Sequence, residues 1–230
     1  MTDLIIPAQD EERAIAKVIA EVPKNWIREI VVVNNGSMDN TAEVARKAGA
    51  TVIDEPRKGY GQACLTGIDY LLSKTERPDI IAFMDGDHSD YAEQVEDLIK
   101  PIQEEGCDIV IGSRALGTME SGAMFPQQRF GNWLAALLIK WIYNYRITDL
   151  GPFRALKTDK LVELGMVDTN YGWTVEMQIK AIQNGFVMKE VPVDYRQRIG
   201  HSKIAGTING TIKAGYKIIH TIFKYAKKND

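Results

Sequence analysis

Between Leu4 and Ile111 the chain changes about five times from a short apolar run to a polar turn and then to helical spacing. Leu4-Ile5-Ile6 is followed by Ile15, Val18, Ile19 and Val22 at helical intervals, stopped by Pro23. Glu29–Val33 leads through a polar turn over 34–41 to a helix reaching about Ala48, with Gly49 behind it. Thr51–Ile53 leads through Glu55–Gly61 to Cys64, Leu65, Ile68, Leu71 and Leu72 on one helical side. Ile80–Phe83 precedes a helix near Ala92–Ile102, and Asp108–Ile111 is the next strand. Runs this short and this apolar suit strands covered on both faces. Their alternation with helices predicts an α/β fold: a doubly wound, mostly parallel (mixed) sheet flanked by helices, with right-handed crossovers. Ligands of such sheets bind beyond the carboxyl ends of the strands, where these polar turns fall. Asp10, with Glu11 and Glu12 behind it, is positioned to cap the first helix.

The second half changes character. Phe130, Trp133, Leu134, Leu137, Leu138, Trp141 and Ile142 keep helical spacing and predict a helix that packs on the sheet, lies on a membrane or lines an apolar groove. Short helices follow over 161–164 and 174–184. Phe186–Tyr195 reads as a strand near a sheet edge, because it contains Pro192. A last helix over 204–228 carries Ile204, Ile208, Ile212, Ile219, Ile222 and Phe223 among lysines. Residues 1–230 are expected to form one domain. About 1–114 would be its nucleotide-binding half and about 115–205 its acceptor half, with a basic amphipathic helix at about 204–228.

Composition sets bounds. A chain of 230 residues, 45% hydrophobic and 26% charged, is ordinary for a single globular domain. Two cysteines make no disulfide framework and suit a reducing compartment. The start of the chain lacks the basic and apolar regions of a signal peptide, and no run is long enough to span a bilayer. The net charge is −3, but six lysines oppose one aspartate between His201 and Asp230, so the acidic surplus lies on the rest of the chain. A basic amphipathic end on an acidic body suits an anionic membrane surface.

The chemistry centres on Ile80-Ile-Ala-Phe-Met-Asp-Gly-Asp-His-Ser-Asp90. Asp85 and Asp87, one residue apart on extended chain, point the same way at a strand's carboxyl end. Gly86 between them allows close approach of backbone or ligand. Two hard oxygen ligands suit Mg²⁺ or Mn²⁺ carrying a phosphate-bearing substrate. Arg114, after the next strand, can reach the same edge. Arg198 and Lys58, the latter beside Gly59 and Gly61, are candidate phosphate contacts. Asp149 and Arg154 flank a rigid turn, and Glu176 is a candidate general base near an acceptor.

Taken in order, several segments resemble a known family: Ile6-Pro-Ala-Gln-Asp-Glu11, Val33–Thr41, Lys58-Gly-Tyr-Gly61, Asp85-Gly-Asp87, Gly112-Ser-Arg114, Thr148–Arg154, Glu176 and Arg198–Lys203. The chain resembles the inverting glycosyltransferases of family 2, which have the GT-A fold, and among them the dolichyl-phosphate mannose and glucose synthases. The resemblance implies nucleoside contacts from Pro7, Ala8, Glu11 and Asn35. It implies metal ligation by Asp85 and Asp87, with Gly86 and Lys58 at the donor. Arg114, Arg198 and Lys203 would hold phosphates. Arg129 and Trp173 would meet the acceptor, and Asp87, Glu176 and Asp149 would serve catalysis. Relatives commonly have Gln two residues after the second metal aspartate; here Ser89 stands there, followed by Asp90.

The expected function is metal-dependent transfer, with inversion, of a hexose from a UDP- or GDP-sugar to a polyprenyl phosphate. The expected place is the cytoplasmic face of a membrane, with the protein peripheral to it and no nucleic-acid partner. The alternatives are a family 2 enzyme acting on a sugar or glycolipid hydroxyl, a non-catalytic nucleotide-sugar binder, and a phosphatase of the haloacid-dehalogenase type. The last also uses Asp-x-Asp after a strand, but usually follows it with Thr and places it near the first strand.

Overall fold

A computed structural model describes residues 1–200 and 208–226. In chain order the elements are β1 (Thr2–Ala8), α1 (Ile15–Glu21), β2 (Glu29–Asn34), α2 (Thr41–Lys47), β3 (Thr51–Asp54), α3 (Tyr60–Leu72), β4 (Ile80–Phe83) and α4 (Val95–Glu104). They continue with β5 (Ile109–Ser113), α5 (Pro126–Tyr143), β6 (Arg154–Lys157), α6 (Thr158–Leu164), α7 (Trp173–Gln183), β7 (Met188–Pro192) and α8 (Ile208–Ala226). The seven strands form one sheet in the order β3-β2-β1-β4-β6-β5-β7.

The sheet is mixed, as expected. β1 pairs in parallel with β2 and β4, and β2 with β3. Alternate residues of β1 serve opposite faces. Leu4 and Ile6 pack under α1 and α4 with Val18 and Leu98, whereas Ile5 packs under α3 and α7 with Leu71 and Met177. All four residues of β4 are buried, so the strand that delivers Asp85 and Asp87 is clamped from both sides. Each fully buried side chain of this size contributes about 1.5–3 kcal/mol. β7, which ends at Pro192, lies at the sheet's edge.

Three features depart from the sequence reading. β6 was not expected as a strand: it runs antiparallel to both β4 and β5. Its sequence, Arg-Ala-Leu-Lys, begins on a charge that is normally exposed. Here Arg154 is fully buried and donates to the carbonyls of Gly151, Leu150 and Thr174, which hold the turn ahead of the strand.

The second departure is at Asp10, which does not cap α1. It adopts a left-handed backbone (φ 51), donates its N–H to Ser37 Oγ and accepts from Met38 N–H. Asp10 thus joins the turns after β1 and β2. The third is α5, whose buried face is centred beside the expected stripe, with only Leu138 and Ile142 of the stripe packed partly against the core. Ala135 and Ile139 pack into a third core with Val175, Ile179 and Ile222, while Phe130, Trp133, Leu137 and Trp141 remain exposed.

Candidate active site

The turns after β1, β2 and β4 enclose a cavity of ≈ 380 Å³. Pro7, Ala8, Glu11, Asn35, Lys58, Asp85, Gly86, Asp87 and Arg198 all line it. Parallel register explains the convergence: β1 and β2 end together, Ala8 beside Asn34, while β4 stops at Phe83 level with Ile5, so the chain after it brings Gly86 alongside Ile6 and Ala8.

The acid cluster is the cavity's electrostatic feature. Asp87 Oδ1 accepts Ser89 N–H at 2.9 Å and Ser89 Oγ–H at 2.5 Å. Asp90 Oδ2 accepts Asp85 N–H at 3.4 Å. Asp90 Oδ1 is buried and has no partner among the described residues. Burial, and then the neighbouring charges of Asp87 and Asp90, push the Asp85 carboxyl well above the usual carboxylate range. Burial and Asp87 push Asp90 up to about 7. The turn is therefore short of positive charge, and a divalent cation suits it. Among the described residues no three His, Cys, Asp or Glu side chains converge in ligating geometry.

Among the described residues Arg198 is the cation that pairs with this acid turn. Its Nη2 bonds Glu11 Oε1 at 3.0 Å and its Nη1 lies 3.1 Å from Asp87 Oδ2. The segment carrying it is tied to the acid turn, since Ile199 N–H donates to the Asp87 carbonyl at 2.9 Å. Asn35 lines the cavity and also folds a neighbouring loop. Its Nδ2 donates to the Glu55 and Arg57 carbonyls and its Oδ1 accepts Gly59 N–H at 2.8 Å. The amide is thus taken up in folding the loop that carries Lys58 over the cavity.

A second, larger cavity of ≈ 670 Å³ lies between the Arg114–Met124 segment and α5. Arg114 and Asp149 line it as a bidentate pair, Nε–Oδ2 and Nη2–Oδ1 both at 2.7 Å. Burial raises the Asp149 carboxyl, but Arg114 outweighs burial and holds it below the usual range. Asp149 is thus committed to Arg114, whereas it was expected among the catalytic residues. Arg129, Trp133, Leu137 and Lys140 line the same cavity from one face of α5, and Arg146 joins them. Segment Tyr195–Ile199 connects the two cavities: Arg114 stacks 5.1 Å from the Tyr195 ring centroid, Tyr195 bridges to Met119 and Asp90, and Arg196 N–H bonds the Ser89 carbonyl at 3.0 Å.

Two expectations are corrected. Trp173 is fully buried, edge-on to Phe83 with ring centroids 4.9 Å apart, so it packs under the site and does not face an acceptor. Glu176 is also fully buried and faces neither cavity. Its carboxylate accepts Asp168 N–H and Tyr225 Oη–H, both at 2.7 Å, and meets Lys180 Nζ at 2.8 Å. A base needs free access to its substrate, and this carboxylate is enclosed. Lys203 lies outside the described residues. Lining residues the sequence reading gave no role are Tyr60, Asn170 and Tyr171 in the first cavity, and Lys140 and Arg146 in the second, where Trp133 of the apolar stripe joins them. The spacing of 129, 133 and 140 along one helical face held the signal for α5.

The model of the family described as glycosyl transferase family 2 matches residues 3–165. An uncharacterized glycosyltransferase of Mycobacterium tuberculosis is 32% identical over 213 residues, covering 92% of this chain and 93% of that one. A dolichyl-phosphate hexose transferase of Haloferax volcanii is 30% identical over 207 residues, covering 87% and 85%. Among solved structures, glucosyl-3-phosphoglycerate synthase from Mycobacterium tuberculosis, in complex with Mn²⁺, UDP and glucosyl-3-phosphoglycerate, superposes with a TM-score of 0.77 at 18% identity. That match covers 100% of this chain and 81% of the other, and the shared fold is GT-A. Acidic turn, sheet topology and sequence agree: the chain belongs to glycosyl transferase family 2 and is a glycosyltransferase.

Proposed function

We propose that this enzyme transfers a hexose, with inversion, from a UDP- or GDP-sugar to a polyprenyl phosphate at a membrane surface. The observation that carries the acceptor class is the second cavity. Three cations without an ionic partner among the described residues, Arg129, Lys140 and Arg146, share it with Trp133 and Leu137. Cations beside exposed aromatic and aliphatic walls suit a phosphate with a hydrocarbon tail better than a sugar, whose recognition needs neutral polar groups. The Haloferax relative's activity points to the same acceptor.

The donor belongs in the first cavity. Lys58 and Arg198 supply positive charge to its pyrophosphate, and Asp85 and Asp87 would hold Mg²⁺ or Mn²⁺. When bound, the ion neutralises charge on the departing diphosphate. An acceptor phosphate oxygen attacks the anomeric carbon from the face opposite the leaving group. The new C–O bond forms as the bond to the diphosphate breaks. A phosphate is already ionised at neutral pH, so this reaction needs no strong base, in keeping with the enclosure of Glu176. An acceptor hydroxyl would need one.

The membrane reading rests on α5 and α8. They pack together, with Tyr143 Oη–H donating to the Ile222 carbonyl at 2.6 Å. Trp141 is 78% exposed and Tyr216 70%, and Phe130, Trp133, Ile212 and Phe223 are exposed with them. Lys213 and Lys224 are exposed on the same helix as Tyr216. Apolar side chains fringed by lysine suit an anionic bilayer surface. No helix among the described residues is long and apolar enough to cross a membrane.

The test is transfer from radiolabelled GDP- and UDP-hexoses, with Mn²⁺, to polyprenyl phosphate and to the free polyprenol. Label in the organic phase with the phosphate alone is expected. Equal transfer to the free alcohol, or transfer only to soluble sugars, would sink the acceptor assignment.

A further inference from the structure

Glu176 is surrounded by hydrogen-bond donors, and tracing them leads from α8 to the donor cavity. Its Oε2 accepts Asp168 N–H at 2.7 Å and its oxygens receive Val167 N–H at 3.2 and 3.3 Å. These contacts fix the start of the segment that brings Asn170 and Tyr171 to the donor cavity. The segment's other contacts are equally specific. Asn170 N–H donates to Asp168 Oδ1 at 2.8 Å, and Gln62 N–H donates to the Thr169 carbonyl at 2.9 Å. A Cβ at Gly59 would lie 2.2 Å from the Thr169 oxygen, and one at Gly61 2.1 Å from the Asp168 oxygen. Residues 168–170 and the Lys58–Gly61 turn are thus interlocked, and both border the cavity.

From the other side, α8 supplies two contacts. Tyr225 Oη–H donates to Glu176 Oε1 at 2.7 Å, and Lys217 Nζ lies 2.8 Å from Asp168 Oδ2. Neither Tyr225 nor Lys217 lines either cavity. We propose that Tyr225 and Lys217 are positioning residues: through Glu176 and Asp168, α8 sets the segment that closes the donor cavity, so nucleotide affinity depends on how α8 is seated. This rests on the reading of that cavity as the nucleotide-sugar site.

The experiment is calorimetric titration of GDP and UDP with Mn²⁺ into wild type, Tyr225→Phe, Lys217→Met and Lys217→Arg, well below each melting temperature. Farnesyl phosphate is titrated in parallel as a probe of the other cavity. Each single hydrogen bond or ion pair removed is expected to weaken nucleotide binding about five-fold. Farnesyl phosphate binding should stay within about two-fold, and Lys217→Arg should restore nucleotide affinity. Unchanged nucleotide affinity in both Tyr225→Phe and Lys217→Met would overturn the inference. So would parallel weakening of nucleotide and farnesyl phosphate, which would mark general loosening. Failure of wild type to bind any nucleoside diphosphate would overturn the donor-site reading itself, and this inference with it.

Discussion

At the scale of single residues, chemistry and architecture divide between acids that look alike in the sequence. Asp85 and Asp87 follow a fully buried strand into a cavity, whereas Asp149 and Glu176 are enclosed and paired. Asp87→Ala should abolish Mn²⁺-dependent thermal stabilisation by nucleoside diphosphates and lower turnover by more than about a hundred-fold, while the apo protein still folds. Differential scanning fluorimetry with and without metal checks the first part.

Glu176→Gln should behave differently. It replaces an acceptor-only group by an amide whose N–H₂ faces donors already in place, at a cost of about 2–4 kcal/mol seen in chemical denaturation. A glutamate acting as base would instead lose turnover with stability intact. Asp85 and Asp87 were legible as a cavity pair because a strand ending in Asp-x-Asp is a local pattern. The fates of Trp173 and Glu176 were not, because burial depends on which helix face meets the sheet and on Tyr225, 49 residues away.

At the scale of elements, the hydrophobic pattern was sufficient for β1 to β5 and the helices between them, since each strand is a short apolar run. β6 escaped because its buried arginine is satisfied by hydrogen bonds to backbone carbonyls, which no pattern of side chains announces. α5 was legible as a helix with an apolar stripe, but not the choice of Ala135 and Ile139 beside that stripe for the core, which leaves most of the stripe exposed.

The face of α5 left at the second cavity carries a prediction for the proposed acceptor. Lys140→Met with Arg146→Met, both exposed at the second cavity, should raise the apparent KM for polyprenyl phosphate about ten-fold and leave the donor KM unchanged. Steady-state kinetics with each substrate varied in turn separates this from a general loss.

At the scale of the whole molecule, a cavity with an acidic turn, a cavity lined by cations and an exposed apolar rim occur on one framework. The exposed aromatics of α5 and α8 predict binding to vesicles containing anionic lipid. Trp141→Ser with Phe223→Ser should weaken that binding at least about ten-fold, since each ring is worth about 1.5–3 kcal/mol on burial. A vesicle flotation assay measures it.

Stability should also report on the acid turn. Asp90, raised to about 7 by burial and Asp87, holds its proton more tightly in the folded chain than in the unfolded one. Its contribution is complete below about pH 4 and is lost as pH rises through 7, so this carboxyl makes metal-free protein less stable as pH rises across that window. Added Mn²⁺ should relieve the loss most at the upper end, where the carboxylates are ionised.

The most direct measurement is a crystal soaked with Mn²⁺ and GDP or UDP, with anomalous scattering used to locate the metal. The expected result is a manganese peak within ligating distance of Asp85 and Asp87, bound also by diphosphate oxygens, with Arg198 turned towards the phosphates. A peak elsewhere, or a diphosphate lying away from these two carboxylates, would contradict the assignment of the catalytic centre.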